Sequence, residues 1–471
     1  MEAPVNFLNA CIESSGLSVS LSLFLIFLAL LYWYSVYPFS VLSRCGIKHP
    51  KPVPFFGNMF RFHQGFLNPI SDLIKTHGRV CGYYLGRRPV VVVADPDMLR
   101  QVLVRDFSSF SNRMVRASAK SSTYSVDSQN NPHDPFVHHA QMFFSFSMFR
   151  PIMLFFIAFP SIMAPLAGLI PNKRRDQMNQ FFISSIQKII KQREEQPPEQ
   201  RRRDFLQLML DARSSKEPAS SEHFDTPTQP QASEHCHRQP QEPHTRRLQK
   251  KTMSEDEVVG QAFVFLLAGY ETSSNTLAFT CYLLAINPEC QCKLQEEVDD
   301  FFTTHESPDY TNVQELKYLE MVICEALRLY PPGFRFARDI EHDCVVNGQL
   351  LPKGATLEIP AGFLHYDPEY WPEPEKFIPE RFTPEAKASR HQFVYLPFGA
   401  GPRNCVGMRL AQLEIKMALV HLLRRFNVVA CSETKVPLEL KSSSTLGPKN
   451  GIFVRITRRV LGGVNMSSPA M

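Results

Sequence analysis

Phe398-Gly399-Ala400-Gly401-Pro402-Arg403-Asn404-Cys405-Val406-Gly407 puts one cysteine where its thiolate would be favoured. Gly399 and Gly401 permit a tight turn with positive φ and leave backbone N–H groups able to point at the sulfur, which stabilises negative charge there. Cys405 opens an apolar helical pattern (Met408, Leu410, Leu413, Ile415, Met417, Leu419), so the positive end of a helix dipole acts in the same direction. Arg403 adds a cation, and Phe398 can cover the sulfur from water. Gly407 removes a side chain where a flat macrocycle would lie against the first helical turn. The unbroken spacing F-G-x-G-x-R-x-C-x-G reads as a thiolate that holds a heme iron; the alternative is a buried free cysteine in a Gly-rich turn.

A chain of 471 residues with 44% hydrophobic content can bury a large core. Its net charge of +5 comes without a dense Lys/Arg block interleaved with aromatics, which argues against nucleic acid as a partner. Eleven cysteines lie without paired spacing, as expected of a reducing compartment. Cys290-x-Cys292 and His235-Cys236-His237 lack a second ligand pair and read as ordinary surface or core residues.

Leu17 to Tyr34 is uncharged, and a helix of roughly 18 residues spans about 27 Å, barely enough for a bilayer core. Glu2 and Glu13 precede it, whereas Arg44, Lys48 and Lys51 follow, which predicts a cytoplasmic globule. No basic flank precedes the run and no small-x-small site follows it, so an uncleaved anchor is expected rather than a signal peptide. The implied organisation is a lumenal segment (1–16), an anchor (17–34), a proline-rich hinge (35–57), a catalytic domain (58–460) and a tail (461–471).

Val80–Tyr84 and Pro89–Ala94 flank Gly86-Arg87-Arg88 and predict a hairpin. Most of the rest reads helical. Phe143 to Pro171 is apolar but interrupted by Pro151, Pro160 and Pro165, which suits a membrane-dipping or channel-lining surface better than a span. Phe181–Lys191 and Asp204–Ala212 are amphipathic, and residues 213–251 form a polar, Pro/Ser/Gln-rich linker. Ser254 with Glu257 forms a capping box that opens a long apolar helix ending before Pro288.

Within that helix, Ala268-Gly269-Tyr270-Glu271-Thr272-Ser273 sets polar groups in apolar surroundings. A helical glycine costs about 1 kcal/mol relative to alanine, so Gly269 suggests a groove or local widening beside a cofactor. Glu325-Ala326-Leu327-Arg328 places acid and base three apart on one helical face, and Pro379-Glu380-Arg381-Phe382 can add a second arginine. Glu325, Arg328 and Arg381 are then expected to form a structural network that locks the turn before the cysteine.

These four motifs, following an anchor, resemble the microsomal cytochrome P450 family. The resemblance implies a mainly α fold with a small β lobe, heme b (iron protoporphyrin IX), and Cys405 as axial ligand of its iron. It implies catalytic roles for Cys405, Glu271 and Thr272, with Phe398, Gly399, Gly401 and Gly407 shaping the cofactor loop. The stretches GYYLGRRPVVVVADPDMLRQVLV and FPSIMAPLAGLIPNKRRDQMNQFF are similar to a branch that isomerises prostaglandin H2 with neither NADPH nor net oxygen. A monomer in the endoplasmic reticulum membrane, single-pass, follows from the same resemblance.

Two departures bear on function. Thr272 stands where that branch has an apolar residue, and it can either relay protons, as in NADPH-dependent monooxygenases served by a reductase, or bond its own helix backbone. After Asn112-Arg113-Met114 the family continues into a helix carrying W-x-x-x-R, yet the only tryptophans here are Trp33 and Trp371, neither in that pattern. Asp127-Ser128-Gln129-Asn130-Asn131-Pro132 already resembles sequence beyond two later helices, so an internal block after residue 118 is expected to be absent and to leave apolar surface uncovered. Anchoring of heme propionates then falls to Arg113, Arg338 and Arg403, each of which could instead make a surface salt bridge. Three readings follow: an isomerase, a monooxygenase, or a shortened isoform without heme or activity.

Overall fold

The computed structural model describes residues 3–112, 135–144, 151–166, 173–214, 253–442 and 444–459. Arg113, the residues around 118–132, nearly all of the 213–251 linker and the 461–471 tail lie outside these described residues. The chain divides into two compact units, one of Met1–Arg116, Met142–Pro171 and Gly269–Met471, the other of Ala117–Gln141 and Asn172–Ala268.

The first unit carries all the β structure described. Strands β1 (Val80–Leu85) and β2 (Arg88–Val93) form the expected hairpin, with Val80 opposite Val93 and Leu85 opposite Arg88. β3 (Phe336–Asp339) and β6 (Thr356–Ile359) complete a four-stranded sheet in the order β1-β2-β6-β3, β6 running parallel to β2 and antiparallel to β3. β4 (Cys344–Val346) and β5 (Gln349–Leu351) pair through an Asn347-Gly348 turn in which both residues have positive φ. β7 (Phe426–Val429) pairs β10 (Arg455–Arg458), and β8 (Leu440–Ser442) pairs β9 (Leu446–Pro448). Val90 to Val93 are all buried, so β2 is covered on both faces, as a continuous β-branched run requires.

The N-terminal helix runs Ala3–Val36, longer than the apolar run alone predicts, and Val19–Arg44 contains a helical stretch long and apolar enough to cross a membrane. Proline interrupts the apolar region as expected, giving short helices at Pro151–Ala158 and Pro160–Leu166, each with proline as its first residue. They expose Phe155 and Ile162, while Phe159 between them stacks on Tyr34 at the end of the anchor. The Arg87 guanidinium, at the hairpin tip, lies 3.6 Å from the centre of the same Tyr34 ring.

A second core gathers the end of the central helix (Glu255–Ile286) with helices Pro288–Thr304, Lys317–Leu329 and Met408–Arg425, through Leu284, Leu294, Leu319, Val322, Leu419 and Leu423. In the other unit, helices Lys173–Glu195 and Phe205–Ser214 are joined by an Arg193–Asp204 ion pair, and Phe182 packs edge-on against Phe136 and Phe263. Leu208, at 65% exposure, and Val264 are exposed in this unit.

The capping box forms at the start of the central helix: Glu257 N–H donates to Ser254 Oγ at 3.1 Å, and Ser254 N–H donates to Glu257 Oε2 at 2.8 Å. Ser254→Ala should lower unfolding stability by about 1 kcal/mol in denaturant titration, and Ser254→Asp should retain most of it. Equal losses in both variants would assign the effect to something other than the cap.

Candidate active site

The cysteine loop is built from the ion pair outward. Glu325 and Arg328, three apart on helix Lys317–Leu329, are both 0% exposed and meet in a two-pronged contact, Nε to Oε2 at 2.7 Å and Nη2 to Oε1 at 2.9 Å. Arg381 Nε approaches Glu325 Oε1 at 3.3 Å, and the same oxygen accepts from Ile378 N–H at 3.0 Å. Arg328 also donates to the carbonyls of His365 (2.8 Å) and Lys376 (3.1 Å). Buried charges need this degree of satisfaction, because removing either partner would leave the other uncompensated.

His365 carries the network to the loop. Its Nε2 accepts from Leu396 N–H at 2.8 Å and its Nδ1 faces the Arg328 carbonyl at 3.3 Å, an arrangement that needs the neutral ring protonated on Nδ1. Complete burial, reinforced by the Arg328 guanidinium, pushes the imidazole down to about 3 from its ordinary 6.5. From Leu396 the chain closes by backbone bonds: Gly399 N–H to Leu396 O (3.1 Å), Asn404 N–H to Gly401 O (3.0 Å) and Cys405 N–H to Phe398 O (2.8 Å).

Both loop glycines are needed where they stand. Gly399 and Gly401 have φ of +72° and +73°, and a Cβ at Gly401 would collide with the Leu103 carbonyl of the π-helical turn Gln101–Arg105. Phe398 packs into the second core and Cys405 stays exposed, three residues before helix Met408–Arg425 begins. Arg403 lies on a short 3-10 turn at the surface. Arg338 is 2% exposed on β3, two residues from Phe336, whose ring comes within 3.9 Å of a Cβ built at Gly399. The strand's alternation therefore brings a buried cation to the side of the cysteine loop.

Thr272 is half-buried, and its carbonyl accepts from Thr276 Oγ1 at 2.8 Å. The central helix shows no widening: it is α-helical throughout Glu255–Ile286, and a Cβ at Gly269 would meet nothing within 4 Å. Glu271 is 8% exposed and turns its Oε1 to Thr445 Oγ1, which donates at 2.7 Å. Trp371 is committed elsewhere, its Nε1–H donating to Leu364 O at 3.0 Å under the Arg390 guanidinium, and Trp33 belongs to the anchor helix.

These residues fit a heme. Cys405 is exposed, as are Val406 (83%) and Leu410 (56%) after it in the chain, and a Cβ at Gly407 would meet nothing within 4 Å. An apolar surface around a thiol, with a buried cation near its edge, matches a macrocycle that is apolar on its faces and anionic at its propionates. Reading along the chain finds the loop and the acid–base pairs from local spacing; it misses His365 and Thr445, which carry no local pattern and reach the site only through the fold.

A sequence profile described as cytochrome P450 matches residues 47–133 and 236–455, and the chain belongs to that family of heme-thiolate proteins. It is 43% identical to thromboxane-A synthase of Macaca fascicularis over 525 aligned positions, covering 95% of this chain and 98% of the relative. It is 44% identical to thromboxane-A synthase of Sus scrofa over the same coverage, and 32% identical to cytochrome P450 3A13 of Mus musculus over 92% of this chain. An alignment of 525 positions exceeds the 471 residues of the chain, so the Macaca protein carries internal residues with no counterpart here.

Because the unfolded chain takes up a proton at His365 near pH 6.5 and the folded chain resists it down to about 3, the stability from this neutral ring is complete above pH 6.5. It should fall by up to about 1.4 kcal/mol per pH unit as pH drops through that window. His365→Gln should flatten this slope in denaturant titrations between pH 7 and 4. Gly401→Ala should disrupt the loop and lower the unfolding temperature, whereas Gly407→Ala should leave it near the parent value.

Proposed function

We propose that this chain is a heme-thiolate isomerase that converts prostaglandin H2 to thromboxane A2, with hydroxy-heptadecatrienoic acid and malondialdehyde as side products. The observation that carries the reading is the 43–44% identity to thromboxane-A synthases along 95% of the chain, against 32% to cytochrome P450 3A13. Cys405 would hold the iron of heme b through its sulfur, with Gly399 and Gly401 shaping the turn and Gly407 leaving room for the macrocycle. A thiolate-ligated heme supplies an electron-rich iron suited to O–O bond cleavage. Arg338 and Arg403, with Arg113, would answer the propionate charges. Glu325, Arg328 and Arg381 keep the loop rigid and take no part in the chemistry.

Isomerisation needs no external proton, so Thr272 has no essential task in it. The substrate is a lipid, and the exposed Phe155 and Ile162 beside the anchor suit entry from a bilayer. Arg44, Lys48 and Lys51 after the apolar run support a single-pass protein of the endoplasmic reticulum with its catalytic domain in the cytoplasm. A second reading, an NADPH-dependent monooxygenase that draws electrons from a reductase, is favoured by Thr272 next to Glu271.

The test uses the full chain in membranes: the reduced carbon monoxide spectrum first, then prostaglandin H2 without NADPH. Heme uptake and product without NADPH are expected; product formed only with NADPH and reductase would support the monooxygenase, and no heme uptake would leave a chain without either activity. Cys405→Ser should abolish turnover. Thr272→Ile should leave kcat/KM within about threefold of the parent, and a loss of a hundredfold would contradict the isomerase reading.

A further inference from the structure

Glu271 reaches away from its own helix, to the hairpin of β8 and β9. Thr445 Oγ1 donates to its Oε1 at 2.7 Å, and Asn275, one helical turn on, donates from Nδ2 to Leu446 O at 3.2 Å. Gly447 permits this approach, since a Cβ there would come within 3.0 Å of Asn275 Nδ2. Residues 271 and 275 share a helix face, so the hairpin is held along one stripe of the central helix. Lys441 Nζ lies 3.8 Å from the same carboxylate but is half-exposed, and a screened pair of that kind contributes little.

The hairpin is also gripped from its other sides. Ser442 O accepts from Phe66 N–H at 2.8 Å, Ser442 Oγ accepts from Leu67 N–H at 3.3 Å, and Leu446 N–H donates to Pro332 O at 3.0 Å. Pro332 lies four residues beyond Arg328, so the hairpin joins the central helix to the segment that follows the buried ion pair. Of these contacts, only those from Glu271 and Asn275 connect it to the helix bearing Thr272.

We propose that Thr445 is a positioning residue that acts through Glu271, and that Glu271 serves as the catch for the C-terminal hairpin rather than as a proton-relay acid. A hydroxyl donated to a carboxylate is among the stronger neutral-to-charged hydrogen bonds, and here it stands 92% removed from solvent on the acid's side. A carboxylate in this contact ties the hairpin to the central helix one turn from Asn275, which holds the same hairpin. The effect on turnover rests on the isomerase reading, whereas the effect on hairpin order does not.

Hydrogen exchange of the full chain in lipid discs, read on peptides covering 436–450, separates the two roles. Thr445→Val and Glu271→Ala should speed exchange there about tenfold, while Thr445→Ser and Glu271→Gln, which keep a donor or acceptor in place, should speed it distinctly less. With prostaglandin H2, Thr445→Val should raise KM more than it lowers kcat, and Glu271→Gln should lose less turnover than Glu271→Ala. Unchanged exchange in both Thr445→Val and Glu271→Ala overturns the catch. So does a Glu271→Gln protein whose turnover falls as far as that of Glu271→Ala, which would make the ionised carboxylate itself the functional group. A parent chain that takes up no heme overturns the proposed function alone, because the exchange measurement still reports on Thr445.

Discussion

Two opposite charges with no solvent access are stable only where their donors and acceptors are largely met, and Glu325 with Arg328 approaches that condition through six contacts involving four segments. The pair therefore acts as a jig. It fixes the carbonyls of His365 and Lys376 and the amide of Ile378, so segments far apart in sequence must take up one arrangement before the charges can be buried. His365 passes that arrangement to Leu396, and three backbone bonds pass it on to Cys405.

The cysteine loop in turn depends on what surrounds it. Gly401 fits against Leu103 only because it lacks a Cβ, and Phe398 turns into the second core, which seats the loop against helix Met408–Arg425. Arg338 arrives by strand alternation from the sheet whose β2 is covered on both faces. The candidate site is thus assembled from an ion-paired scaffold on one side and a β lobe on the other, elements that hold a thiol and a cation in fixed places.

The central helix contributes differently. Its glycine leaves open space without breaking the hydrogen-bond ladder, and its acid is engaged by the C-terminal hairpin. A motif that reads as proton-transfer chemistry is, in this fold, also a point of mechanical attachment. Trp371, one of the two tryptophans of the sequence, is held by its bond to the Leu364 carbonyl.

Much of this protein was legible in its sequence because the deciding signals are local. Periodicity marked the anchor and the helices, turn residues marked the β1–β2 hairpin, the capping box marked where the central helix begins, and F-G-x-G-x-R-x-C-x-G marked the thiol. The acid and base of the E-x-x-R motif were visible for the same reason, since three residues along a helix return a side chain to the same face. What only the tertiary structure decided are the partnerships across long separations: His365 with Leu396, Thr445 with Glu271, and Leu103 with Gly401. None of these has a spacing to read, because a hydrogen bond or a close approach between distant segments depends on where the whole chain brings them, and that is settled by the burial of the core and of the Glu325–Arg328 pair.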